Sequence, residues 1–145
     1  MDYKKFGKDF YIRLDKGDEV IQSVLDICQS ENIQSAIFSG IGGCGDVVVG
    51  TLDSQTKEFI PHQKSGLLEM ISLNGNIAVY ENNLSEHTHA MFSYIDENEH
   101  QQFIGGHLLK AVISYTAEIK LEPVADGVIR KRLDIEKNIP IWDFN

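Results

Sequence analysis

The chain has 145 residues, 42% of them hydrophobic and 24% charged, with a formal net charge of −9. That length fits one domain with a sizeable core, read here over residues 1–145. The acidic balance opposes loose binding to nucleic acid, which draws much of its affinity from Lys and Arg neutralising phosphates. The first ten residues lack the apolar stretch of a signal peptide, and no run approaches the roughly 20 apolar residues of a membrane span. Two cysteines, Cys28 and Cys44, without a CxxC pair, fit a reduced, cytoplasmic setting with no membrane partner. The basic clusters, Lys4, Lys5 and Lys8 at one end and Arg130-Lys131-Arg132 at the other, read as solvated faces.

Residues 9–14 (DFYIRL) predict a first strand. Asp15-Lys16-Gly17-Asp18 then supplies helix-start chemistry, with acidic groups where the helix dipole favours them. Val20, Ile21, Val24, Leu25 and Cys28 form an apolar stripe at helical spacing, and the helix ends near Glu31-Asn32. Two short strands follow, 35–39 and 46–52. Between them Gly40 to Gly45 matches GxGxxG. A dinucleotide site needs a helix next, and Asp46-Val47-Val48-Val49 is strand-like instead, so these glycines read as a tight strand-to-strand connection. Residues 57–62 read as an edge strand because of Pro61. Residues 67–73 and 76–81 flank Asn74-Gly75, a hairpin signal. Residues 86–95 form the next strand, 96–100 (DENEH) a polar loop, and 106–121 a long apolar run. A last strand, 127–133, precedes an irregular tail through Ile139-Pro140-Ile141-Trp142. The pattern is that of a single α+β domain, mostly antiparallel β-sheet with one main packed helix.

His87 and His89 are two residues apart, so a strand points both imidazoles to one face, roughly 6.6 Å apart. His107 follows Gly105-Gly106, which permit close backbone approach, and a neighbouring strand could add it as a third imidazole. Three neutral imidazoles suit zinc or a similar divalent metal and leave a fourth position for water or a small-molecule ligand. A structural role for each histidine is the alternative. His62 and His100 read as solvent-facing. By alternation Glu69 shares a face with Leu67, Ile71 and Leu73, and a carboxylate there must be paired, metal-bound or protonated. An ion pair with Arg13 is the simpler reading, and a general acid–base or water ligand the functional one. Glu118 is a weaker instance. Cys28 reads as buried packing, and Cys44, in the glycine-rich segment, as more exposed.

The chain resembles the PPC domain (plants and prokaryotes conserved domain) family, in its prokaryotic stand-alone form. The likeness runs through Arg13-Leu14, Gly17-Asp18-Glu19-Val20, Ser39-Gly40-Ile41-Gly42 and the segment from Glu69-Met70-Ile71-Ser72 to Asn76-Ile77. It continues in His87-Thr88-His89 and Gly105-Gly106-His107-Leu108, and so covers nearly the whole chain. The resemblance implies an α+β domain with a central antiparallel sheet, assembled as a homotrimer. It also implies a metal site, zinc by the same token, at His87, His89 and His107. Members are commonly described as DNA-binding; in plant members that activity resembles the work of a separate AT-hook, a basic segment that this chain lacks. The fold implied is also similar to that of acetolactate decarboxylase, a zinc enzyme with an HxH pair and a third histidine. Two functions are therefore open. One is a metal-binding regulatory or interaction module with DNA as a partner. The other is a zinc-dependent enzyme acting on a small anionic or carbonyl substrate, with Glu69 moving a proton and Arg13 orienting a carboxylate.

Overall fold

The computed structural model describes residues 1–144. The strands are β1 (Asp2–Phe6), β2 (Asp9–Asp15), β3 (Ala36–Leu52), β4 (Phe59–Tyr80), β5 (Asn83–Ile95), β6 (Gln101–Pro123), β7 (Arg130–Asp134) and β8 (Ile139–Asp143), with one helix, α1 (Val20–Ser30), between β2 and β3. The protein is mostly β-sheet, and nearly all pairing is antiparallel, the exception being a parallel contact between β4 and β7. β3 pairs with β4 and β6, and β5 pairs with the same two strands, so β3, β4, β5 and β6 close into a ring. β1 and β2 extend the sheet from β6, and the β7–β8 hairpin extends it from β4.

α1 forms as the spacing predicts. Val20, Val24, Ile27 and Cys28 are buried against the sheet. The Glu19 carboxylate caps the first turn by accepting the Gln22 amide at 2.7 Å, one residue beyond the acidic cluster that announces the helix. Its other oxygen accepts the Ala111 amide of β6 at 2.9 Å, which ties the helix start to the sheet. Asn32, in the left-handed region at φ 56°, ends the helix. The core is filled by Leu14, Phe38, Leu68, Met70, Leu73, Ile77, Phe92, Leu108, Ile113 and Leu121. Each of these apolar side chains contributes roughly 1.5–3 kcal/mol by leaving water.

Four sequence expectations are corrected. The glycines of residues 40–45 do not connect two strands; they lie inside the single strand β3, which is irregular at Gly40/Gly42 and Cys44/Asp46. Cys44 is accordingly fully buried, and burial pushes its thiol up to about 12. Asn74-Gly75 is not a turn either. β4 runs straight through it, and Gly75 pairs with Phe38, whose ring lies where a side chain would stand: a Cβ on Gly75 would meet Phe38 Cζ at 2.2 Å. The turn falls at Glu81-Asn82, where both residues have positive φ (49° and 64°), the backbone of a type I′ hairpin. The tail expected to be irregular forms β8 and pairs with β7, and residues 2–6, given no element in the sequence reading, pair with β2.

Candidate metal centre

The alternation of β5 sets the site. Thr88, Ala90 and Phe92 point into the core, so His87 and His89 point out on the opposite face. β6 supplies the third imidazole: His107 is the direct cross-strand partner of His89. His107 sits where β6 passes from pairing with β5 to pairing with β3, opposite Gly50. The preceding glycine is required there. Gly106 has φ 154°, and a Cβ on it would lie 2.6 Å from the Gly50 carbonyl oxygen of β3. The glycine pair thus permits close approach of backbone to backbone, and the histidine follows at the point of contact.

The three ring centroids form a near-equilateral triangle, with His87–His89 at 5.2 Å, His87–His107 at 5.3 Å and His89–His107 at 5.5 Å. One nitrogen from each ring lies within 4.8 Å of the other two. Small ring rotations close that span onto an ion with bonds of about 2.0–2.1 Å. Among the described residues, no side-chain hydrogen bond holds any of the three. Nδ1 of His107 is buried without a partner, a polar atom that costs free energy unless something coordinates it. What fixes His107 instead is the ring of Phe59 from the start of β4, stacked on it at 4.5 Å and 16°. Burial, with His87, His89 and the Lys131 ammonium, pushes the His107 imidazole down to about 4. Burial, then His89 and Lys131, also lower His87. Both are neutral at pH 7 with lone pairs free, the state a metal ligand needs. The donor set, the span and the orphaned nitrogen all fit a divalent ion of zinc type.

The other sequence candidates lie elsewhere. Glu69 pairs in register with Ser93, four residues along β5 from His89, or roughly 13 Å away along the strand. It is solvent-exposed, because a register shift between Met70 and Ser72 puts Leu68, Met70 and Leu73 in the core and leaves Leu67, Glu69 and Ile71 outside. The ion pair with Arg13 is not formed. Arg13 pairs with Asp15 at 3.1 Å and with Asp2 at 3.9 Å, both on its own edge of the sheet. Glu69 and Glu118 instead line an open groove of about 790 Å³ with Ile41, Leu67, Ile71 and Tyr115. His62 and His100 are exposed, as predicted; His62 hydrogen-bonds Thr51 Oγ1 at 3.2 Å.

Sequence reasoning missed two residues at the centre. Phe59 is an unremarkable apolar residue of an edge segment until β4 brings it onto His107. Lys131, read as part of a solvated basic cluster, is half-buried and donates to Ser85 Oγ at 3.1 Å and to the Glu86 carbonyl at 3.2 Å, one residue before His87. No helix among the described residues is long and apolar enough to cross a membrane.

Comparison with known proteins places this geometry. No curated protein matches the chain. Among solved structures, a candidate DNA-binding protein from Bacteroides thetaiotaomicron aligns with TM-score 0.88 and 22% identity, over 99% of this chain and 96% of that one. A candidate DNA-binding protein from Ralstonia eutropha aligns with TM-score 0.85 and 28% identity over the same shares. A metal-containing protein from Archaeoglobus fulgidus aligns with TM-score 0.83 and 24% identity, over 98% of each chain. The α-acetolactate decarboxylase of Bacillus subtilis shares the fold more distantly, with TM-score 0.56 and 15% identity, over 83% of this chain and 54% of the enzyme. The model of the Plants and Prokaryotes Conserved (PCC, or PPC) domain matches residues 1–124. A family model that covers this much of the sequence, on a fold its relatives share, makes the chain a member of the plants and prokaryotes conserved domain family.

Proposed function

We propose that the protein is a cytoplasmic, homotrimeric metal-binding module that holds zinc or a similar divalent ion through His87, His89 and His107. The observation that carries this reading is the convergence of three imidazole nitrogens within 4.8 Å. When bound, the ion would act as a Lewis acid for a ligand in its remaining position. The chain's own part is to present three imidazole donors on rigid strands, with Phe59 clamping one ring. The trimer is supported by apolar side chains that a monomer leaves in water: Ile41, Leu67, Ile71 and Tyr115 around the groove are 46–70% exposed. Contact with DNA or a regulatory partner is supported by the description of two structural relatives as candidate DNA-binding proteins. The net charge of −9 weighs against affinity based on phosphate contacts.

The test is native mass spectrometry with metal analysis. The reading expects a trimer carrying one ion per chain, and a metal-free monomer after exposure to zinc would refute it. A duplex-DNA gel shift at about 50 and 150 mM salt checks the regulatory partner; binding by phosphate contacts shows a steep salt slope. A zinc enzyme acting on a small anionic or carbonyl compound is the second reading, favoured by the position that three ligands leave free. Glu69 is the proton-transfer candidate in that reading, and within one chain the register of β4 sets it opposite Ser93, apart from the histidines.

A further inference from the structure

β3 carries a socket along its first half and a knob at its far end. The socket is the open groove of about 790 Å³. Its floor is glycine. Gly43 pairs with Glu69 of β4, and a Cβ on it would meet the Tyr115 side chain of β6 at 3.3 Å. With no side chain between Glu69 and Tyr115 a channel stays open, and Ile41, Leu67 and Ile71 wall it. Glu69 and Glu118 line it too, and neither has an ion pair among the described residues. Arg13, the cross-strand neighbour of Glu118, turns to Asp15 and Asp2 instead.

The knob is the tip of the β3–β4 hairpin. β6 supports β3 only as far as Gly50. Beyond that point Thr51 and Leu52 pair with Ile60 and Phe59 alone, and residues 53–58 make the connection. Leu52 and Phe59 are a cross-strand pair on one face of the ribbon, and Ile60 stands on the other. All three are exposed. A two-stranded ribbon is marginal in water by itself, and one with apolar side chains on both faces has no interior to put them in. The connection is nevertheless built: the Asp53 carboxylate accepts the Gln55 amide at 2.7 Å and the Thr56 amide at 3.0 Å. Lys57, in the same turn, is exposed and has no ion pair among the described residues.

Knob and socket cannot meet within one chain. Gly43 and Leu52 are nine residues apart on the single strand β3, roughly 30 Å. A contact between them is therefore head-to-tail between copies, and a head-to-tail contact that closes on itself makes a ring. It covers apolar side chains on both partners, and it brings the Lys57 ammonium to two carboxylates that lack a cation.

We propose that the β3–β4 tip of one copy docks in the Glu69–Glu118 groove of the next, and that this contact builds the trimer. The inference rests on the trimeric reading above and names the two surfaces that would form its interface.

The experiment uses the full chain with one side of the contact blocked at a time, Ile60→Glu at the tip and Ile71→Glu in the groove. Each variant should sediment as a monomer at concentrations where wild type is a trimer, with an unchanged far-ultraviolet spectrum. Mixed, the two should form a one-to-one complex, because the intact tip of Ile71→Glu fits the intact groove of Ile60→Glu. Two substitutions in the exposed turn add a milder test. Lys57→Glu should weaken association by about tenfold and Glu58→Lys should strengthen it, since both positions would meet the field of the groove carboxylates. This pair decides alone should Ile60→Glu not fold. A mixture that stays monomeric, or a folded Ile60→Glu that remains a trimer, overturns the proposal and gives the trimer to another surface. Equal association by Lys57→Glu and Glu58→Lys overturns it as well. Wild-type protein that is monomeric sinks the trimeric reading and this inference together.

Discussion

The histidine face and the groove beside Glu69 lie on the same closed ring of strands, and both expose side chains able to do chemistry. They differ in convergence. At the histidine face three nitrogens meet within 4.8 Å, one ring is clamped by an aromatic stack, and a buried nitrogen lacks any partner. In the groove, Glu69 and Glu118 stand exposed among Ile41, Leu67, Ile71 and Tyr115, and neither has an ion-pair partner among the described residues. The first arrangement stores unsatisfied bonding capacity in a fixed geometry, which a ligand can relieve. The second stores exposed apolar area, which another protein surface can cover. Titratable groups on a face do not make a reactive site unless the backbone register aims them at one point.

Substitutions should separate the two regions. The largest effect is expected from His89→Ala, which removes the central ligand and should abolish metal uptake at micromolar concentrations, as measured by equilibrium dialysis. Phe59→Ala leaves all three ligands but frees His107. Loss of an orienting contact typically costs about 10- to 100-fold in metal affinity, and a competition titration with a chelator reads it. An unchanged affinity would mean that the stack is incidental. Ile71→Glu should act only on the other region, dispersing the proposed trimer in sedimentation velocity while each chain still takes up metal.

A subtler effect is the pH dependence of the metal-free protein. His107 is lowered to about 4 in the fold, against an ordinary value of 6.5. Between those values the unfolded chain carries a proton at residue 107 that the folded chain does not. Its contribution to stability is therefore present above pH 6.5 and is lost as pH falls toward 4. Urea midpoints across that window should fall less steeply for His107→Phe than for wild type; equal slopes would remove His107 from the acid response. The smallest effect belongs to Glu69→Gln, which should leave metal affinity unchanged within error. A clear drop would show that the groove and the histidines communicate.

The fold was legible where local pattern and tertiary environment agree. The stripe of Val20, Val24 and Cys28 gave α1, and the DENEH loop ends β5 and starts β6 as its polarity predicts. It was illegible where long-range packing overrides local chemistry. Gly75 looks like half of a hairpin turn, yet it is glycine because the Phe38 ring occupies the space above it. Gly40 and Gly42 look like a connection, yet they are small because the backbone of β6 lies against them, with backbone contacts of 2.6–2.7 Å to any added Cβ.

The candidate site was legible to the same degree. Strand alternation alone gives the shared face of His87 and His89, and the family pattern adds His107. Nothing local reports the β-irregularity that turns Glu69 outward, or the choice of Asp15 and Asp2 over Glu69 as partners of Arg13. Phe59 and Lys131 become part of the centre only through pairings that span about 50 residues in each case.

The central claim is that three imidazoles on β5 and β6 form one metal site, and a calorimetric zinc titration of the metal-free protein at pH 7 tests it most directly. The account predicts one zinc ion per chain in wild type and none in His89→Ala, with the far-ultraviolet spectrum of the variant unchanged. Wild-type protein that binds no zinc, or a folded His89→Ala that binds as tightly as wild type, would contradict it.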